Sequence, residues 1–92
     1  MDEDETCPVC GFELGFVPWI GESPSDEICP SCLIQFGYDD AAGSDPVERT
    51  AIYLRWREQW IAAGMPWKSR GRKPPIDWNP VRQLKRVQDE PL

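Results

Sequence analysis

Four cysteines carry the chemistry open to this sequence. They fall in two pairs, Cys7-Pro8-Val9-Cys10 and Cys29-Pro30-Ser31-Cys32, with eighteen residues between Cys10 and Cys29. Two residues between ligands let a tight turn put both sulfurs on one side of the backbone. The intervening loop can then fold back as a hairpin and bring the second pair opposite, so that Cys7, Cys10, Cys29 and Cys32 surround one metal ion. Pro8 and Pro30 pre-set φ after each leading cysteine, and Gly11 supplies a positive φ where the first turn exits. Leu33 stands where the second turn would take a glycine. That knuckle is therefore expected to run straight into an extended segment, Leu33-Ile34-Gln35-Phe36.

Three chemistries are open to such a set. The first is a closed structural zinc site, one ion per chain, which does no chemistry of its own. The second is an iron site that carries single electrons, since the same soft ligands accept iron. The third is a pair of disulfides, which a reducing compartment disfavours. Asp2, Glu3, Asp4 and Glu5 open the chain, the reverse of a secretory signal, and the expected location is cytoplasmic. No stretch approaches the ~20 apolar residues of a membrane span, so no membrane partner is expected.

The remaining composition narrows the function. There is no histidine, which removes the side chain most used as a general base and the partner of a Cys–His nucleophile, so no enzymatic activity is expected. A chain of 92 residues buries only roughly 60–65% of its unfolded surface. A structural metal, contributing on the order of 10–16 kcal/mol in zinc-finger peptides, would supply the missing stability. The net charge of −6 is unevenly spread: residues 1–45 hold 11 acidic side chains and no Lys or Arg, whereas 46–92 hold 10 basic and 5 acidic ones. The two halves can dock on each other, or the basic half can face an external anion.

The elements that must position the cysteines follow from pattern. Residues 11–28 are expected to form a hairpin, with Phe12, Leu14 and Phe16 alternating against Glu13 and Gly15, a loop from Gly21 to Asp26, and a third short strand over 33–38. Residues 39–44 read as a linker. A helix is expected over 45–64, with Asp45 as N-cap, Pro46 at the first position, Glu48 at the third, and Gly64 and Pro66 at its end. Its wheel has two apolar stripes, one with Val47, Ala51, Leu54 and Ile61, the other with Ile52, Tyr53, Trp56, Trp60 and Ala63. One should cover the cysteine hairpin; the other needs the C-terminal tail (Trp67, Pro74, Pro75, Ile76, Trp78) or a second molecule. Asn79-Pro80 starts a short last helix to about Val87, with Val81, Leu84 and Val87 on one face. No internal repeat is evident beyond the two cysteine pairs.

Partner-binding candidates are few. Trp56 and Trp60 with Tyr53 could form a platform for a protein partner or a homodimer, although such a stripe is more often core. Arg70 and Arg72, with Lys68 and Lys73, could grip nucleic acid, although a loop docked on the acidic half is favoured. The acidic run Asp2–Glu5 and the pair Asp39-Asp40 could engage a basic partner.

Cys7-Pro8-Val9-Cys10-Gly11, Ile28-Cys29-Pro30-Ser31-Cys32 and Asp39-Asp40 together resemble the small bacterial cysteine-rich proteins called CPCC-domain proteins and, more broadly, the rubredoxin-like zinc ribbons. The resemblance covers roughly residues 5–40. It implies metal ligation by Cys7, Cys10, Cys29 and Cys32 and no catalytic role. The chain departs from it at Val9, where the CPCC pattern has a further cysteine, and at Leu33, where rubredoxins have glycine. The expected whole is one small α+β domain, a rubredoxin-like ribbon of two or three short antiparallel strands (1–44), a long amphipathic helix (45–64), and a basic, Pro-rich segment with a short helix (65–92). Its expected role is a metal-stabilised, non-enzymatic protein-interaction module.

Overall fold

Local turn chemistry dominates the first half of the chain. A computed structural model describes residues 5–42 and 45–88, a small α+β arrangement. Its elements are β1 (Trp19–Ile20), β2 (Ser23–Pro24), α1 (Pro46–Ala62) and α2 (Pro80–Gln88). β1 and β2 form an antiparallel pair, with Trp19 opposite Pro24 and Ile20 opposite Ser23. The hairpin is thus much shorter than the expected 11–28, and its second strand lies inside the segment read as a loop.

Phe12 and Leu14 are buried and Glu13 exposed, as alternation requires. Their pairing is different from the expected one. Leu14 donates its amide to Glu5 O at 2.8 Å and Cys7 donates to Phe12 O at 2.8 Å, so this stretch folds back on the residues before Cys7. The third strand is reduced in the same way: Cys29 donates to Ile34 O and Phe36 to Glu27 O, and the chain turns over residues 36–40.

These bonds expose a repeat that extends well past the cysteines. Shifting residue numbers by 22 turns the bonds Cys7→Phe12, Gly11→Cys7 and Leu14→Glu5 into Cys29→Ile34, Leu33→Cys29 and Phe36→Glu27. The bridge Thr6–Glu13 becomes Ile28–Gln35. Leu33 does not leave its knuckle in an extended conformation as expected; it takes φ +66°, matching Gly11 at +85°, and Gly37 at +97° matches Gly15 at +86°. The amide of residue 33 reaches Cys29 O, and the left-handed turn at the same residue sends the chain back so that Ile34 O accepts the Cys29 amide.

α1 begins and ends where its signals place it. The Asp45 carboxylate accepts the amides of Val47 and Glu48, satisfying donors at the helix start. At the other end Gly64 takes φ +98°, while Gly64 donates to Ile61 O and Met65 to Trp60 O, a Schellman closure. At α2, Asn79 Oδ1 accepts the Arg82 amide at 3.0 Å. The face of α2 turned inward carries Gln83, Leu84 and Val87; Val81 is exposed, contrary to expectation.

One apolar cluster joins both knuckles to Trp60 and Leu84, with Tyr53, Trp56, Trp67 and Trp78 packed against it. The tail covers the ribbon: Trp67 stacks edge-on to Phe12 and to Trp78, each at 5.4 Å, while Ile76 stays exposed, as do Val47 and Leu54 of the stripe whose Ile61 packs against the core. Among the described residues, no helix is long and apolar enough to cross a membrane.

Candidate metal centre

The two repeated turns face each other with their sulfurs inward. Cys7, Cys10, Cys29 and Cys32 are fully buried, all four are free thiols, and their Sγ atoms lie within 4.8 Å of one another. Cys7 Sγ is 3.8 Å from Cys32 Sγ, and Cys10 Sγ is 3.7 Å from Cys29 Sγ. A tetrahedron with zinc–sulfur bonds of about 2.3 Å has edges of about 3.8 Å. The tetrad is therefore positioned to bind a metal ion, with every position around that ion supplied by the chain.

Burial pushes the Cys7 and Cys32 thiols well above their ordinary range. Cys10 behaves differently. Burial would raise it too, yet hydrogen bonds from Cys29, Cys32 and Cys7, and from the Phe12 backbone, hold it far below. Thiol protons must leave when a metal binds.

A column of donors on α1 holds the knuckles in place. Arg49 Nε donates to Asp40 O (3.3 Å), Trp56 Nε1 to Cys32 O (3.0 Å), and Arg57 to both Val9 O and Pro8 O (2.8 Å each). The equivalent carbonyls of the second knuckle, Pro30 O and Ser31 O, accept the backbone amides of Ser69 (2.9 Å) and Lys68 (3.2 Å). α2 completes the enclosure: Arg86 Nη1 donates to Gly11 O at 2.9 Å, and the buried Gln83 amide joins Trp78 Nε1 to Ser31 Oγ. The basic half does dock on the acidic half, but these arginines bond backbone carbonyls.

Tyr53, Trp56 and Trp60 do not form an exposed platform. Trp60 is buried and donates to Pro66 O at 2.9 Å, and Tyr53 and Trp56 lie half-buried against the ribbon. Tyr53 Oη donates to Asp40 Oδ2 at 2.6 Å, and burial, together with Asp40, raises its pKa well above the usual tyrosine value. Asp40, read from sequence as a surface acid, is fully buried. It accepts Trp19 Nε1 at 2.8 Å and the Gly37 amide at 2.6 Å besides Tyr53, so it locks the β1–β2 hairpin and the second knuckle to α1. Asp39 Oδ2 accepts the Gln35 amide at 2.8 Å. Asp2, Glu3 and Asp4 lie outside the described residues, as do Gly43 and Ser44 of the linker.

Arg70 and Arg72 are exposed on the 68–73 loop. Arg72 lies 5.8 Å from the Phe12 ring and lines an open cleft with Arg82 and Arg86, where Glu5, Glu13 and Asp77 offset the charge. Sequence reasoning missed Arg57, Gln83 and Asp40 as supports of the site. Only Asp40 had a signal, since Gly37 and Asp40 follow the second knuckle at the spacing of a turn.

Fold and site together define a class, a cysteine-rich, zinc-ribbon-like metal-binding motif clasped by two helices. The chain matches no family model, no curated protein and no solved structure.

Proposed function

We propose that this protein is a non-enzymatic, zinc-stabilised protein-interaction module built on a rubredoxin-like ribbon, with one structural ion held by Cys7, Cys10, Cys29 and Cys32. The observation that carries the reading is the sulfur tetrad: four buried thiols whose shorter separations, 3.7 and 3.8 Å, match the edge of a zinc–thiolate tetrahedron. Four protein ligands leave no open position for substrate or water, which favours a structural over a catalytic ion. Bound zinc would supply folding free energy and draw the two knuckles together. Four free thiols suit a reducing compartment such as the cytoplasm.

Native mass spectrometry of the purified protein tests this reading. One zinc per chain is the expected result. Iron in its place, with a reversible one-electron couple, would replace the reading with that of an electron carrier. Salt-dependent DNA or RNA affinity lost on replacing Arg70 and Arg72 would replace it with that of a nucleic-acid binder.

A further inference from the structure

The two knuckles are built alike but covered differently. On the first, α2 lies flush against Gly11, where an added Cβ would collide with Gln83 O, and Arg86 caps the Gly11 carbonyl. The matching position on the second knuckle is Leu33, which is 41% exposed, and the residue matching Thr6 is Ile28, 49% exposed. Both adjoin Cys29, Ile28 as its chain neighbour and Leu33 through the bond from its amide to Cys29 O at 2.7 Å. Asp26 and Glu27 are exposed alongside.

Leu33 takes φ +66°, a conformation that glycine adopts without strain and a leucine does not. Backbone strain held at an exposed apolar side chain points to a role outside folding. The repeat itself suggests what fits there, because the first knuckle is covered by a helix that presents Leu84 inward and carries Arg82, Lys85 and Arg86. Charge agrees, since the exposed Asp26 and Glu27 stand next to Ile28 in the chain.

We propose that the Leu33–Ile28 face of the second knuckle is a docking surface for a cationic amphipathic helix of a partner protein, the counterpart of what α2 does on the first knuckle. The proposal rests on the interaction-module reading and gives that module its surface and the chemistry of its partner.

The test is fluorescence anisotropy of the zinc-loaded full chain against a labelled amphipathic leucine–lysine helix, with a scrambled peptide of the same composition as control. The helix should bind in preference to the scrambled peptide. Leu33→Gly should weaken that binding by about tenfold, the loss expected for one apolar anchor, while leaving zinc content and melting temperature intact because glycine suits the backbone there. Val47→Asp with Leu54→Asp, at the exposed apolar positions of α1, should leave binding unchanged. Equal binding of the two peptides, unchanged affinity in Leu33→Gly, or no binding by folded, zinc-loaded protein would each overturn the proposal. So would a dimer in light scattering that Leu33→Gly dissociates, which would assign the face to a second copy of the chain. Folded protein without zinc in native mass spectrometry would overturn the metal reading alone, and the peptide titration would still decide the surface.

Discussion

Arg57 of α1 holds Val9, 48 residues away in sequence, its Nε 2.8 Å from the Val9 carbonyl and its Nη2 equally close to Pro8 O. The guanidinium fork thus fixes the outer wall of the first knuckle in two places. Arg57→Ala should cost about 1.5–3 kcal/mol of stability in denaturant unfolding of the metal-loaded protein. Arg57→Lys should recover little of it, because an ammonium cannot reproduce the planar fork.

Removal of the metal should unfold much of the chain. With a strong chelator, circular dichroism should fall toward that of an unfolded polypeptide and recover on adding zinc. An unchanged spectrum would refute a structural role for the ion. Metal affinity should also weaken as pH falls, because binding must displace thiol protons that burial holds tightly on Cys7 and Cys32. Competition against a chromophoric indicator at several pH values measures this.

Asp40 serves three donors at once, so Asp40→Ala should leave Trp19 Nε1, Tyr53 Oη and the Gly37 amide without their acceptor. The expected loss is about 2–4 kcal/mol, with Asp40→Asn milder because it keeps one oxygen. Tyr53 adds an alkaline signature. Its pKa is raised in the folded protein, so the unfolded chain loses that proton first. Stability from this group is complete below the ordinary tyrosine value of about 10 and declines as pH rises above it. In Tyr53→Phe that component of the alkaline loss should vanish from pH-dependent melting curves.

Trp60→Ala should behave as a core truncation and cost about 3–5 kcal/mol in thermal unfolding. Were Trp60 part of a binding platform, the same substitution would leave stability almost untouched. Gly11→Ala provides a backbone comparison. Its Cβ would meet Gln83 O, whereas a Cβ at Gly15 meets nothing within 4 Å. Gly11→Ala should therefore dislodge α2 and cost about 2–4 kcal/mol, against about 1 kcal/mol for Gly15→Ala from strain alone.

The legible parts of this fold were the ones whose physics is local. Cysteine spacing located the thiol tetrad, and Asp45-Pro46, Gly64 and Asn79-Pro80 located the helix ends, because capping depends on neighbours within four residues. The helix wheel also identified the aromatic stripe of α1. What escaped were features set at a distance. Arg57 looks like any helix-surface arginine until Pro8 and Val9 are brought beneath it. The repeat was hidden because its matched positions differ in side chain, Gly11 with Leu33 and Val9 with Ser31, while agreeing in backbone bonds. The turn spacing from Gly37 to Asp40 marks a turn, but nothing local tells that Trp19 and Tyr53 will both reach Asp40.

The short β1–β2 hairpin lies wholly within the stretch that the tetrad closes between Cys10 and Cys29. At its tip, a Cβ on Gly21 would have no neighbour within 4 Å, and both Gly21 and Glu22 are exposed. Loop-closure entropy grows only slowly, at about 0.6 kcal/mol per doubling of length. The turn at Gly21-Glu22 is thus the place where this chain can accept inserted residues, such as a spectroscopic label or an epitope, with both ends still held by the two knuckles.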